Sequence, residues 1–189
     1  MNDFILMYGQ PGTGIRETGP TKRNKSLRFL RDLKTYDLYY GSITALPAWV
    51  AMPSHFWSYD MGGFYALPEI RKALSTVDVP HLILSYVPYN AKKAHETAHT
   101  AAKDNAPFVL VYARENKAKF LMATKDHKGI GLCDDHHENC RYVVEAGFRA
   151  VHCTVGTNTE FKEEDTAKTK RYEGIELAET VEELLSLLA

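Results

Sequence analysis

Residues 129–153 limit the fold of this chain more than any other stretch. They read Gly-Ile-Gly-Leu-Cys-Asp-Asp-His-His-Glu-Asn-Cys-Arg-Tyr-Val-Val-Glu-Ala-Gly-Phe-Arg-Ala-Val-His-Cys. The apolar run Ile130 to Cys133 is too short for a helix and fits a buried strand. The acidic pair Asp134–Asp135 follows it, then a segment with helical apolar spacing from Glu138 to Glu145. Gly147 stops that helix, and Ala150 to Cys153 starts a second strand. Strand, acidic turn, helix, strand is a piece of an α/β sheet, with two carboxylates at the carboxyl end of a strand. Open α/β sheets bind ligands at that end. Adjacent carboxylates there are costly unless a cation or donors neutralise them, so the pair predicts a Mg²⁺-type site.

The rest of the chain fits that picture. Its 189 residues suffice for one sizeable core, and 44% hydrophobic and 25% charged residues are ordinary for a globular domain. A formal net charge of -1 gives no electrostatic reason to expect nucleic-acid binding. Cys133, Cys140 and Cys153 read as reduced thiols of a cytoplasmic protein. No apolar run reaches the length of a membrane span. The run Phe4 to Tyr8 follows Asp3 without a basic leader, so a signal peptide is not expected.

In chain order, Phe4–Tyr8, Val79–Leu84 and Phe108–Tyr112 read as further buried strands. Helical patterns cover Ser26–Leu38, Leu67–Leu74 with Pro68 in its first turn, and Asn90–Asp104. Lys117–Met122 reads as a short helix or turn, and the polar stretch Gly156–Glu173 as a loop. Thr180-x-x-Glu183 is a capping box that opens a final amphipathic helix. Strands alternating with helices predict a parallel, doubly wound α/β sheet. Residues 39–65 are rich in aromatics and broken by Pro47, Pro53 and Gly62-Gly63. They read either as a cap over a pocket or as ordinary core packing, with packing favoured.

After the first strand comes Gly9-Gln-Pro-Gly-Thr-Gly14, which matches a phosphate-binding P-loop as far as Gly14. Ile15 and Arg16 then stand where that loop needs Lys and Ser or Thr. A tight turn is the plainer reading, although Gly9, Gln10, Gly12 and Thr13 could still form a backbone nest for phosphate.

Leu67-Pro-Glu-Ile, Leu82-Ile-Leu-Ser85, Asn116-Lys117-Ala-Lys119, Gly131-Leu-Cys-Asp134-Asp135 and Glu138-Asn139-Cys140 together resemble the haloacid dehalogenase superfamily. The likeness is to its 5′(3′)-deoxyribonucleotidase-like and phage-type members and covers roughly residues 53–153. It implies a three-layer Rossmann-like sandwich over residues 1–189, mainly parallel, with a small cap insert at about 18–65 that includes Pro53-x-x-Phe-Trp57. It further implies that Ser85 binds the transferred phosphate and that Lys117, or alternatively Lys119, neutralises phosphate and nucleophile. Asp134 and Asp135 would hold Mg²⁺. The family's first motif, Asp-x-Asp-Gly-Thr, supplies a nucleophile and a general acid/base after the first strand. Here Gly9–Thr13, after the strand Phe4–Tyr8, occupies that place, with no carboxylate. Asp60, in Tyr59-Asp-Met-Gly-Gly63, mimics the motif faintly. It lacks the second Asp and a clean preceding strand, and lies close to the Leu67 helix. Asp3 is at the wrong end of its strand.

Two zinc readings compete. His95-Glu96-Thr97-Ala98-His99 matches H-E-x-x-H, but Lys92 and Lys93 lie just upstream and no third ligand follows at a familiar spacing. Cys133, His136, His137 and Cys140 match no common zinc spacing, and the two cysteines read better as small core residues. The sequence therefore predicts an α/β protein that binds Mg²⁺ and a small phosphorylated molecule such as a nucleotide, with aspartyl-phosphate hydrolysis impaired. A non-catalytic binding or interaction module on the same fold, whose aromatic insert contacts a ligand or a protein partner, and a zinc hydrolase are the alternatives.

Overall fold

The computed structural model describes residues 4–6, 38–42, 55–86, 96, 100, 108–111, 114–123, 129–156 and 162–189. Eight strands among them form one sheet: β1 (Phe4–Leu6), β2 (Leu38–Ser42), β3 (Phe56–Tyr59), β4 (His81–Tyr86), β5 (Phe108–Val111), β6 (Gly129–Asp134), β7 (Arg149–Cys153) and β8 (Ile175–Ala178). Their spatial order is β1-β2-β5-β4-β3-β6-β7-β8. From β5 to β8 every neighbouring pair is parallel, while β1 and β2 join antiparallel at one edge. The helices are α1 (Pro68–Leu74), α2 (Glu115–Ala123), α3 (His137–Glu145), α4 (Lys162–Arg171) and α5 (Val181–Leu188).

Alternation along the strands builds both faces of the sheet. Trp57, Tyr59, Ile83, Cys133 and Val151 meet Ile70 and Leu74 of α1 and Leu184 and Leu188 of α5. Phe56, Leu82, Leu84, Leu132 and Ala150 meet Phe120 and Leu121 of α2 and Cys140 and Val143 of α3. The result is a mainly parallel three-layer α/β sandwich, as the sequence predicts. Gly147, at φ 88°, ends α3 in the left-handed region that a side chain resists, and releases the chain into β7. The capping box at Thr180 and Glu183 is formed in full.

Several elements differ from expectation. Phe56 and Trp57 belong to β3, buried in the middle of the sheet between β4 and β6, so the stretch read as a cap contains a central strand. The stretch read as a loop, Gly156–Glu173, contains α4, and β8 follows it. Phe4–Leu6 is an edge strand, four strands away from β3. The predicted helices over 26–38 and 90–104 lie outside the described residues, apart from Leu38, which opens β2, and Glu96 and Thr100, which are helical.

Strand order also fixes where a ligand would bind. Counted along the chain, the parallel strands lie third, second, first, fourth, fifth, sixth, with β3 first and β6 fourth. The chain winds outward one way from β3 through β4 and β5, then returns to β6 and winds the other way. The direction reverses between β3 and β6, and the crevice beyond their carboxyl ends is the topological switch point.

Candidate functional site

Asp60 and Asp134 flank that crevice. Asp60 follows β3 directly, and its backbone N–H donates to the Cys133 carbonyl at 3.0 Å, extending the β3–β6 ladder by one step. Asp134 is the last residue of β6. A π-helical turn over Met61–Tyr65 comes next after Asp60. Tyr65 N–H bonds to the Asp60 carbonyl at 2.9 Å and Ala66 N–H to that of Met61 at 2.8 Å. Such wide turns are rare and gather at functional sites. This one takes up the chain between β3 and α1 while leaving Asp60 at the strand end.

Lys117, in the first turn of α2, reaches between the two carboxylates. Its Nζ is 2.6 Å from Asp60 Oδ1 and 2.6 Å from Asp134 Oδ2. The lysine and Asp134 are completely buried, and Asp60 is 7% exposed. Ser85, near the end of β4, donates its hydroxyl to Asp60 Oδ1 at 3.2 Å. Asn139 of α3 donates to Asp134 Oδ2 at 2.9 Å and accepts from Arg114 at 3.3 Å. The His136 backbone N–H donates to Asp134 Oδ1 at 2.9 Å. Asp60 Oδ2 is not engaged by Lys117 or Ser85. A Cβ on Gly62 would come within 3.1 Å of it, so glycine keeps that oxygen approachable.

Asp60, Asp134 and Asp135 each offer a ligand atom, all within 4.8 Å of one another. Three carboxylates facing one ammonium carry two surplus negative charges when ionised. Proton affinities register the strain. Burial pushes Asp60 up, with Lys117 opposing and Asp134 adding. Burial, then the charges of Asp134 and Asp60, push Asp135 up to about 8. Asp134 is penalised by burial too, yet Lys117 and its hydrogen bonds hold it below the usual carboxylate range. Lys117 is disfavoured by burial but held charged by the same two carboxylates. Hard oxygen donors with excess negative charge fit a hard cation. This buried aspartate cluster can hold a metal ion.

Of the residues singled out on the sequence, Ser85, Lys117, Asp134 and Asp135 meet in this crevice. Lys119 is exposed on α2. Gly9, Gln10, Gly12 and Thr13 lie outside the described residues. The strand before them is four strands from β3, roughly 19 Å at the usual strand spacing. Asp60 corrects the sequence reading: a clean strand does precede it, β3. Its signal was the four-residue run Phe-Trp-Ser-Tyr ahead of Asp-Met-Gly-Gly. Asn139 and Arg114 also belong to the site without having been assigned a role.

The zinc reading on Cys133, His136, His137 and Cys140 does not gather its ligands: among the described residues the aspartate trio is the sole group of three or more acidic, histidine or cysteine side chains close enough to share an ion. Cys133 and Cys140 are buried core thiols, His136 faces Asp165 at 3.4 Å, and His137 bonds to Thr169. His95 and His99 lie outside the described residues, and Glu96 is exposed. No helix among the described residues is long and apolar enough to cross a membrane.

The chain is similar to a de novo designed protein with a P-loop NTPase fold, solved by solution NMR. The two share 15% identity and a TM-score of 0.46, over 72% of this chain and 90% of that one. No protein-family model and no curated protein matches the chain.

Proposed function

We propose that this chain is a haloacid dehalogenase-type phosphoryl-transfer protein that uses Mg²⁺ and acts on a small phosphorylated molecule, with Asp60 as the nucleophile. The observation that carries the reading is the shared ammonium: Lys117 bridges Asp60 and Asp134 at the switch point, with Ser85 on the same Asp60 oxygen. With Oδ1 held by Lys117 and Ser85, Oδ2 is the oxygen that attacks phosphorus. The new O–P bond forms as the bond to the leaving oxygen breaks, and that oxygen departs with the electron pair. Water then cleaves the aspartyl phosphate, releasing inorganic phosphate and restoring the carboxylate. Lys117 and the Ser85 hydroxyl lie where they can stabilise charge on the transferring group. Mg²⁺ held by Asp60, Asp134 and Asp135 would neutralise phosphoryl oxygens.

The second carboxylate of the resembled motif is absent: Gly62 stands two residues after Asp60. A leaving group that needs a proton receives none from that position. Aryl phosphates should therefore react faster than nucleoside monophosphates. Gly62 equally supports a second reading, in which the crevice binds a phosphorylated ligand without turning it over.

The test is a Mg²⁺-dependent assay of p-nitrophenyl phosphate beside a panel of nucleoside monophosphates. Hydrolysis of the aryl ester that falls to background in Asp60→Asn supports the proposal. Full activity in Asp60→Asn contradicts it. Tight phosphate binding with no turnover of any substrate favours the second reading.

A further inference from the structure

A buried chain of hydrogen bonds runs from α3 through α4 and β7 to the acidic turn. His137 Nδ1 is 2.9 Å from Thr169 Oγ1, and Thr169 Oγ1 is 2.7 Å from His152 Nδ1. His152 Nε2 is 3.1 Å from the Asp135 backbone carbonyl. His152 is completely buried, Thr169 is 2% exposed and His137 6%. Donor counting gives the chain a direction. A carbonyl only accepts, so His152 Nε2 carries a hydrogen. Neutral His152 then has a bare Nδ1, which accepts the Thr169 hydroxyl hydrogen. That hydrogen being used, the Thr169 oxygen accepts from His137 Nδ1–H.

The target of this chain is specific. The Asp135 carbonyl and the His136 N–H belong to one peptide unit. His152 holds its oxygen, and its N–H donates to Asp134 Oδ1 at 2.9 Å. Rotating that peptide would break both bonds at once. The peptide also carries Asp135 itself, so its orientation sets where both carboxylates point.

We propose that Thr169 and His152 are positioning residues for the cation site, acting through the Asp135–His136 peptide to aim Asp134 and Asp135. This rests on the reading that those carboxylates hold a cation. Neither residue touches the ion. Removing outer partners of metal ligands typically weakens binding by roughly 10–100-fold, and bonds arranged in series strengthen one another.

Calorimetric titration of Mg²⁺ into wild type, Thr169→Val and Thr169→Ser tests it, with metal-free thermal unfolding of each protein alongside. Thr169→Val should weaken Mg²⁺ by about tenfold or more, while Thr169→Ser, which keeps the hydroxyl, should stay within about twofold of wild type. A Thr169→Val protein that melts earlier yet binds Mg²⁺ as wild type does overturns the proposal and leaves the cation reading intact. Wild type that binds no Mg²⁺ overturns the cation reading itself. Nitrogen-detected NMR of wild-type histidines gives an independent check that needs no variant. The expected tautomers are Nε2–H on His152 and Nδ1–H on His137, and the opposite tautomer on His152 overturns the chain.

Discussion

Asp60 and Asp134 share one ammonium: Lys117 Nζ lies 2.6 Å from an oxygen of each, with the lysine wholly buried. The two carboxylates come from neighbouring strands, β3 and β6, and the lysine from the start of α2. Three separate segments therefore depend on one charge. Removing a single partner of a buried ion pair leaves an uncompensated charge, which costs about 3–5 kcal/mol. Lys117→Met should destabilise the metal-free protein by about that much. Asp60→Asn in the same chain should recover part of the loss, because one stranded carboxylate disappears. Denaturant unfolding of the two variants checks both statements; a Lys117→Met protein as stable as wild type contradicts them.

Asp135 makes cation binding depend on pH. Its folded proton affinity is raised to about 8 from an ordinary value of 3.8. In the metal-free fold it keeps a proton that the unfolded chain releases. The stability this contributes is complete below pH 3.8 and is lost as pH rises through about 8. A cation favours the ionised form, so binding at pH 7 should expel about one proton from Asp135. Mg²⁺ affinity should rise with pH up to about 8. Calorimetry in buffers of different ionisation enthalpy measures the release, and Asp135→Asn should abolish it. Identical heats in every buffer would contradict the assignment.

Close packing under the site predicts a sensitive glycine. A Cβ on Gly131, in β6, would collide with the backbone carbonyl of Arg149 on β7 and press on the Trp57 ring. Backbone cannot give way as a flexible side chain can. Gly131→Ala should cost at least the roughly 1–3 kcal/mol typical of overpacking, read as an earlier melting transition. Unchanged melting would show that β6 and β7 approach less closely.

The leaving group should govern turnover. With glycine at 62, rates across a series of aryl phosphates should rise steeply as the leaving phenol becomes more acidic. A flat dependence would show that another group delivers the proton.

Much of this site was legible because its residues stand at element boundaries that the sequence marks. Asp134 and Asp135 end an apolar run, Ser85 ends another, and Lys117 opens a helix. Asp60 was harder to see for a geometric reason. Its strand is four residues long and lies inside an aromatic stretch, and only a π-helical turn separates it from α1. A reader expecting ordinary turns finds no room there. The helix α4 was missed because apolar periodicity is lacking: its buried positions are Thr166 and Thr169. A charge signal existed, with Glu163, Glu164 and Asp165 in the first turn and Lys168, Lys170 and Arg171 in the last, matching the helix dipole. Thr169, which the relay needs, is one of those two polar positions.

The most direct test of the central claim is a crystal structure with Mg²⁺ and beryllium trifluoride, a mimic of an aspartate-bound phosphoryl group. The account predicts beryllium on an oxygen of Asp60, Lys117 and Ser85 beside the fluorides, and Mg²⁺ against Asp134 and Asp135. An unmodified Asp60, with Mg²⁺ bound away from the three carboxylates, would contradict it.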